Sequence, residues 1–188
     1  MSKGRTSVLT RVVEGVVALV AITVGGLLAG ARVWDRPGTG FYWKVAEVAH
    51  MAGDLGPTDF AHVQRRPYGN DALVCPEVLC PGLKAKVVPK VYPLPAKDLI
   101  ERVRRISVSE PGSGEMTCGT CDVSARFVEY SSILRFPDVI DVRAVPVGDK
   151  AATIALYSRS VVGYGDLGIN EARLKRWLAA LDRIVPSR

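Results

Sequence analysis

Four cysteines, arranged as Cys75-x4-Cys80 and Cys118-x2-Cys121, carry the sharpest chemical options in this sequence. Two thiols separated by two residues bracket a tight loop, and such pairs are often redox-labile. A thiol–disulfide oxidoreductase using Cys118 and Cys121 is therefore one reading. That chemistry needs the first thiol at a helix N-terminus, where the dipole lowers its pKa. Here Asp122 to Phe127 reads as a strand, and no aromatic residue precedes Cys118. The other reading is structural, with disulfides drawn from Cys75, Cys80, Cys118 and Cys121. Cys75–Cys80 would staple a Pro-rich loop. A four-thiolate zinc site would be announced by two C-x-x-C pairs, and one C-x4-C with one C-x-x-C announces it weakly. Haem attachment needs C-x-x-C-H, and Asp122 stands where the histidine would be.

Other catalytic patterns are scarce. Any Ser-His-Asp or Cys-His site would have to recruit His50 or His62, the two histidines of the chain. The sequence holds no G-x-S-x-G, H-E-x-x-H, P-loop or helix-opening G-x-G-x-x-G. No metal and no cofactor are expected. The densest polar stretch is Ser158, Arg159, Ser160, Tyr164, Asp166 and Asn170, with Gly163 and Gly165 around Tyr164. Asn170 is a natural N-cap for a following helix, and Asp166 suits a cap or a pair with Arg159. The functional reading makes the same stretch a ligand-facing patch. Arg159 would meet an anionic group and Tyr164 would line a pocket. Arg135, Asp138, Asp141 and Arg143 could join it, or simply alternate outward along a half-exposed strand.

The elements that must position these residues begin with a membrane signal. Lys3, Arg5 and Arg11 precede a run from Gly15 to Ala31 that holds no charge. Its 17 residues would span about 25 Å as a helix. Extension to residues 12–33 makes it long enough for a single transmembrane helix. The basic residues before it put the N-terminus inside and the bulk of the chain on the periplasmic or extracytoplasmic side of the inner (cytoplasmic) membrane. Trp34, Phe41, Tyr42 and Trp43 follow, where an interfacial aromatic belt would lie. Ala29-Gly30-Ala31 also fits a signal-peptidase site, so a cleaved signal is the rival, and either reading exports the rest. Gly26 and Gly30 could form a homodimer face.

Composition agrees with one globular domain beside that segment. The chain has 188 residues, with 48% hydrophobic, 7% aromatic and 23% charged residues. Such figures exclude a disordered acidic tail, a coiled coil, a collagen-like repeat and a polytopic membrane protein. The 25 Lys and Arg outnumber the 19 Asp and Glu by 6. That excess is mild and lacks basic runs interleaved with aromatics, so no nucleic-acid partner is expected.

The expected organisation is a cytoplasmic N-terminus over 1–11, an anchor over 12–33, a juxtamembrane linker and helix over 34–57, and a domain over 58–185. The juxtamembrane helix is written in Phe41, Val45, Val48, Ala49, Ala52 and Leu55, and Gly56-Pro57 stops it. Gln64 to Pro81 reads as an ordered loop. Lys84 to Tyr92 reads as a strand and Ala96 to Ile106 as a helix, with Ser109 to Gly114 as a loop. Strand periodicity then marks Val123–Tyr130, Val139–Val147 and Ala152–Val161, the last two joined at Gly148-Asp149. A last helix starts near Asn170 with Leu174, Trp177, Leu178, Leu181 and Ile184 on its apolar stripe and Arg173 mostly off it. A run of strands with helices outside it predicts an α+β fold, an antiparallel sheet packed by helices on one face.

Three stretches resemble a bacterial and plant family known as domain of unknown function 1499. They are Asn70–Pro76 (NDALVCP), Arg135–Val147 (RFPDVIDVRAVPV) and Tyr157–Trp177 (YSRSVVGYGDLGINEARLKRW). The resemblance spans about Asp59 to Leu181. It implies no activity, cofactor or substrate. It does imply an N-terminal membrane segment, since similar members often have one. Cys118-Gly119-Thr120-Cys121 falls outside the family pattern. Taken together, the expected protein is a membrane-anchored envelope protein whose exported domain binds a protein or lipid partner, leaning away from an enzyme. The candidate binding residues are Arg159, Tyr164, Asp166, Asn170, Arg135 and Arg143.

Overall fold

A computed structural model describes residues 8–33, 40–48, 54, 56–83, 87–116 and 121–185. The N-terminal run forms α1 (Val8–Val33), 26 residues long. Its described side chains are those of 12–26, 29 and 30, and all of them are exposed. Among the described residues no helix is long and apolar enough to cross a membrane. Gly26 and Gly30 lie in open space on α1.

After α1 comes α2 (Phe41–Val48), and then a short 3-10 turn at Phe60–His62 capped by the Asp59 carboxylate. The domain proper runs β1 (Asp71–Val74), α3 (Ala96–Ser109), β2 (Ser113–Met116), β3 (Ser124–Tyr130), β4 (Pro137–Pro146), β5 (Ala152–Ser160) and α4 (Ile169–Ile184). All strand pairs are antiparallel, in the order β1-β5-β4-β3-β2. The α+β expectation holds.

Alternation along the strands sorts side chains between two faces. Phe127, Ile140, Val142, Ala144, Ile154 and Leu156 point to α3 and α4, and they pack with Leu99, Val103, Trp177 and Leu181 into the main core. The second face also has cover. Trp43 and Ala46 of α2 pack on Val128, Tyr130, Val139 and Val161. Phe60 and Val63 pack on Leu73, Ala155 and Tyr157, with Cys75 and Cys80 beside them. The long helices α3 and α4 do share one face, but the sheet is buried on both. Tyr157 and Arg159 therefore leave the main core only to be buried on the far side.

Two strands form where the sequence predicts loops. Within the segment expected to be loop, β1 pairs with β5 from Asp71↔Arg159 to Val74↔Leu156. Where a second loop was expected, β2 pairs with β3. The strand expected over Lys84 to Tyr92 is reduced to isolated bridges, Val74↔Val87 and Tyr92↔Ala152, with residues 84–86 outside the described ones.

Candidate functional site

The polar stretch after β5 divides between the two faces of the sheet. On the helix face, Asp166 turns the chain into α4. Its carboxylate accepts from the backbone N–H of Gly168 at 2.9 Å and of Asn170 at 3.0 Å. Gly168 is the N-cap, with φ 81°. Asn170 is thus not the N-cap it was expected to be. It lies inside the first turn, fully buried, because its amide is needed there. Its Nδ2 donates to Asp166, Ser160 Oγ and the Asn70 carbonyl at 2.7, 3.1 and 3.2 Å. Its Oδ1 accepts from Ser158 Oγ and from Arg173 Nη1. A buried amide with every group paired locks the chain it touches.

Arg173 extends this network under the sheet. It pairs with Asp138 at 2.6 Å and Glu129 at 2.9 Å while almost wholly buried. Burial works against its charge. Asp138 and Glu129 more than offset that, so its pKa lies above the ordinary value. The apolar stripe of α4 suggested an outward residue. The neighbouring strand ends supply the carboxylates that let it point inward.

Arg159 lies on the opposite face and does not meet Asp166. It donates to Asp141 Oδ2 at 2.7 Å, to Thr58 Oγ1 at 2.6 Å and to the Gly56 carbonyl at 2.6 Å. Arg126 takes the other oxygen of Asp141 at 2.6 Å and also pairs with Asp54 at 2.6 Å. Strands β3, β4 and β5 thus each give one charge to a buried cluster, clamped by the segment that follows α2. Next to it, Tyr157 donates to Asp71 Oδ2 at 2.7 Å. Burial, followed by this bond, raises the Tyr157 pKa far above the phenol range. Burial alone would push the Asp71 carboxyl up as well. The bonds from Arg65, the Arg66 amide and Tyr157 outweigh burial and hold it below the usual value.

The remaining candidates scatter. Tyr164 is exposed, its ring edge-on to Tyr68 at 5.0 Å. The Arg135 guanidinium stacks 4.5 Å over the Tyr130 ring. Arg143 is exposed, opposite Ser124 in register. Arg135, Asp166 and Arg173 line a cleft of about 700 Å³ between the β3–β4 turn, Glu110–Gly112 and the start of α4. Its floor also holds Glu129, Asp138 and Ser160, and its rim holds Phe136, Val162 and Ile169. Arg159 and Arg143 lie outside it. The charged groups of the floor are largely spent on each other: Arg176 meets Glu110 at 2.8 Å and Glu129 at 2.9 Å, and Arg173 meets Asp138. Such a cleft can seat polar groups below an apolar rim. Among the described residues that line it, no hydroxyl is seen paired with a histidine or carboxylate. A smaller cavity of about 220 Å³ lies between β1 and α4, with Arg65, Asp71, Glu171 and Lys175 on its wall.

Cys75 and Cys80 form a disulfide. That leaves too few thiolates for a four-cysteine zinc site. Cys121 is also disulfide-bonded, and Cys118 lies outside the described residues. The chain after Cys121 enters β3 rather than a helix. His62 is exposed and contacts Asp59 at 2.7 Å, and His50 lies outside the described residues. Among the described residues no three His, Cys, Asp or Glu side chains gather as metal ligands.

Asp54, Arg65 and Arg126, which nothing in the sequence singles out, complete the buried clusters. Their one signal is excess charge close to apolar segments, and this does not separate a buried partner from a solvated one. No curated protein matches this chain. The family described as protein of unknown function (DUF1499) matches residues 70–181, well over half of the chain and all of β1 to the penultimate turn of α4. The β1 and β5 strands, the Asp166 cap and the Asn170–Arg173 network all fall inside that match, and this protein belongs to the DUF1499 family.

Proposed function

We propose that this protein is a single-pass membrane protein whose extracytoplasmic α+β domain is a binding module rather than an enzyme. One observation carries the reading: every described side chain of α1 is exposed, and Glu14 is the only charged one among them. An exposed helix built of Val, Leu, Ile, Ala and Gly is unfavourable in water and favourable in lipid. The uncharged run from Gly15 to Ala31 extends this face along the sequence. The meeting of a polar floor with an apolar rim supports the cleft beside the β3–β4 turn as the module's binding site. The absence of a nucleophile–base pair in that cleft supports recognition over catalysis.

The test is intact mass with thiol counting on protein taken from membranes after alkaline extraction. A full-length chain that remains with the membrane, with no alkylatable thiol, is the expected result. A chain starting near Arg32 in the soluble fraction would replace the anchor by a cleaved signal and overturn it. Two free thiols at Cys118 and Cys121 would restore the oxidoreductase reading.

A further inference from the structure

One end of the sheet collects the loops that the anchor approaches. Strands β3 and β5 end there and β1, β2 and β4 begin there, as the pairs Ser113↔Glu129, Glu129↔Asp138, Asp138↔Ser160 and Asp71↔Arg159 require. Helix α2 starts at the same end. The Tyr42 ring meets the Phe136 ring at 5.0 Å, and its hydroxyl donates to the Leu134 carbonyl. Seven residues separate the end of α1 at Val33 from Phe41. A chain of that length reaches at most about 28 Å, so α1 must enter from nearby.

This same end exposes large apolar side chains at loop tips. Ile133, Leu134 and Phe136 stand out of the β3–β4 turn, and Tyr164, Leu167 and Ile169 stand out of the segment leading into α4. Neither loop is loose. Ser131 N–H bonds the Phe136 carbonyl at 3.0 Å, Phe136 N–H bonds Ser131 Oγ at 2.9 Å, and Arg135 N–H bonds the Ser131 carbonyl at 3.2 Å. Asp166 holds the second loop through Gly168 and Asn170.

Backbone geometry at this end sets a second, independent mark. Among the described residues two non-glycines have positive φ, Arg135 at 57° and Leu167 at 53°. One lies in each loop. Positive φ is costly for a bulky residue and persists where the surroundings over-determine it. Leu167 is strained and fully exposed at once. In water it recovers nothing from that placement, whereas in an apolar phase it recovers its burial.

We propose that this end docks on the bilayer that α1 enters. The Ile133–Phe136 turn and the Tyr164–Ile169 loop sink to the acyl boundary, while Arg135 sits at phosphate level. Arg135 suits that depth, since a guanidinium can rest its stem among apolar groups and keep its head at the polar surface. The cleft between the loops then opens onto phospholipid headgroups. This deepens the binding module proposed above and rests on its anchor, with the lipid surface itself as the partner.

The test is photolabelling of the full-length chain reconstituted in phosphatidylcholine–phosphatidylglycerol vesicles that carry a diazirine on the acyl chain. Labelled peptides are mapped by mass spectrometry. Residues 131–136 and 161–169 should label about tenfold above the β4–β5 turn, 147–151, at the other end of the sheet. Ile133→Asp with Leu167→Asp should drop that labelling to the level of the turn, with labelling of α1 unchanged. Both side chains are exposed, so this variant keeps its core. Label in α1 with none in the loops would overturn the docking and leave the anchor standing. Label in neither would remove both. Loops that crosslink to a protein in native membranes, and not to lipid in vesicles, would assign the surface to a protein and overturn the proposal.

Discussion

Arg159 and Asp141 meet diagonally across β5 and β4 at 2.7 Å, each with a side chain only 4% exposed. The same carboxylate also binds Arg126 at 2.6 Å. One carboxylate thus bridges two buried guanidiniums, and Asp54 from the segment behind α2 supplies the second negative charge that balances them.

Asp141→Ala should therefore be among the most damaging substitutions outside the apolar core. It leaves two buried cations to the single carboxylate of Asp54, and breaking a buried pair costs about 3–5 kcal/mol. Urea unfolding of the full chain in detergent, followed by tryptophan fluorescence, should show this loss. Arg143→Ala, exposed on the same strand, should shift stability by less than about 0.5 kcal/mol. Equal effects would mean that the buried cluster contributes no more than a surface charge.

Asp166→Ala removes the acceptor for two amides at the start of α4. Loss of a cap costs about 1–2 kcal/mol. Amide hydrogen exchange at Asn170 should accelerate by about 5–30-fold, while exchange in β4 stays as it was. Asn170→Ala should be worse, since it abandons Ser158, Arg173 and the Asn70 carbonyl inside the protein. If Asn170→Ala proves the milder change, its amide is not the tie between β5, α4 and residue 70.

Stability in acid should depend on Asp71. Its folded pKa lies below the ordinary 3.8 because Arg65, the Arg66 amide and Tyr157 favour the carboxylate. A depressed acid contributes stability that is complete above its unfolded pKa and drains as pH falls through its folded one. Asp71→Asn should flatten the loss of stability between about pH 4 and pH 2, read as unfolding midpoint against pH. An unchanged slope would place the acid sensitivity elsewhere.

The Cys75–Cys80 bond closes a short loop with Cys80 buried beside Phe60 and Tyr157. Chain-entropy arguments give such a loop about 2 kcal/mol. The double variant Cys75→Ala with Cys80→Ala should lose about that much and should also lose much of the response of its unfolding midpoint to dithiothreitol. A larger response in the variant than in the wild-type chain would move the sensitive disulfide to Cys121.

Strong local periodicity carried much of the fold into view from sequence. Alternation in β3, β4 and β5 and the apolar stripes of α3 and α4 mark those elements within a few residues, because burial on one face imposes a period on the chain. The family segments and the oxidised Cys75–Cys80 pair were legible for the same local reason. Short edge strands were not. The four residues of β1 are all buried and do not alternate, and β2 reads Ser-Gly-Glu-Met, so only pairing with β5 and β3 makes them strands.

The candidate site was legible in its residues and not in its grouping. Sequence placed Arg159, Tyr164, Asp166 and Asn170 close together, and sequence alone also determined the uncharged N-terminal run and which strand residues share a face. Tertiary structure decided what covers each face. It set Arg159 against Thr58 and Asp141 on one side of the sheet and Asn170 against Ser158 and Arg173 on the other. The reason is that periodicity reports which side chains point together, whereas the partner that buries a charge comes from chain remote in sequence. Loop tips such as Ile133 and Leu167 share one end of the molecule only because antiparallel pairing brings the ends of β3 and β5 there together.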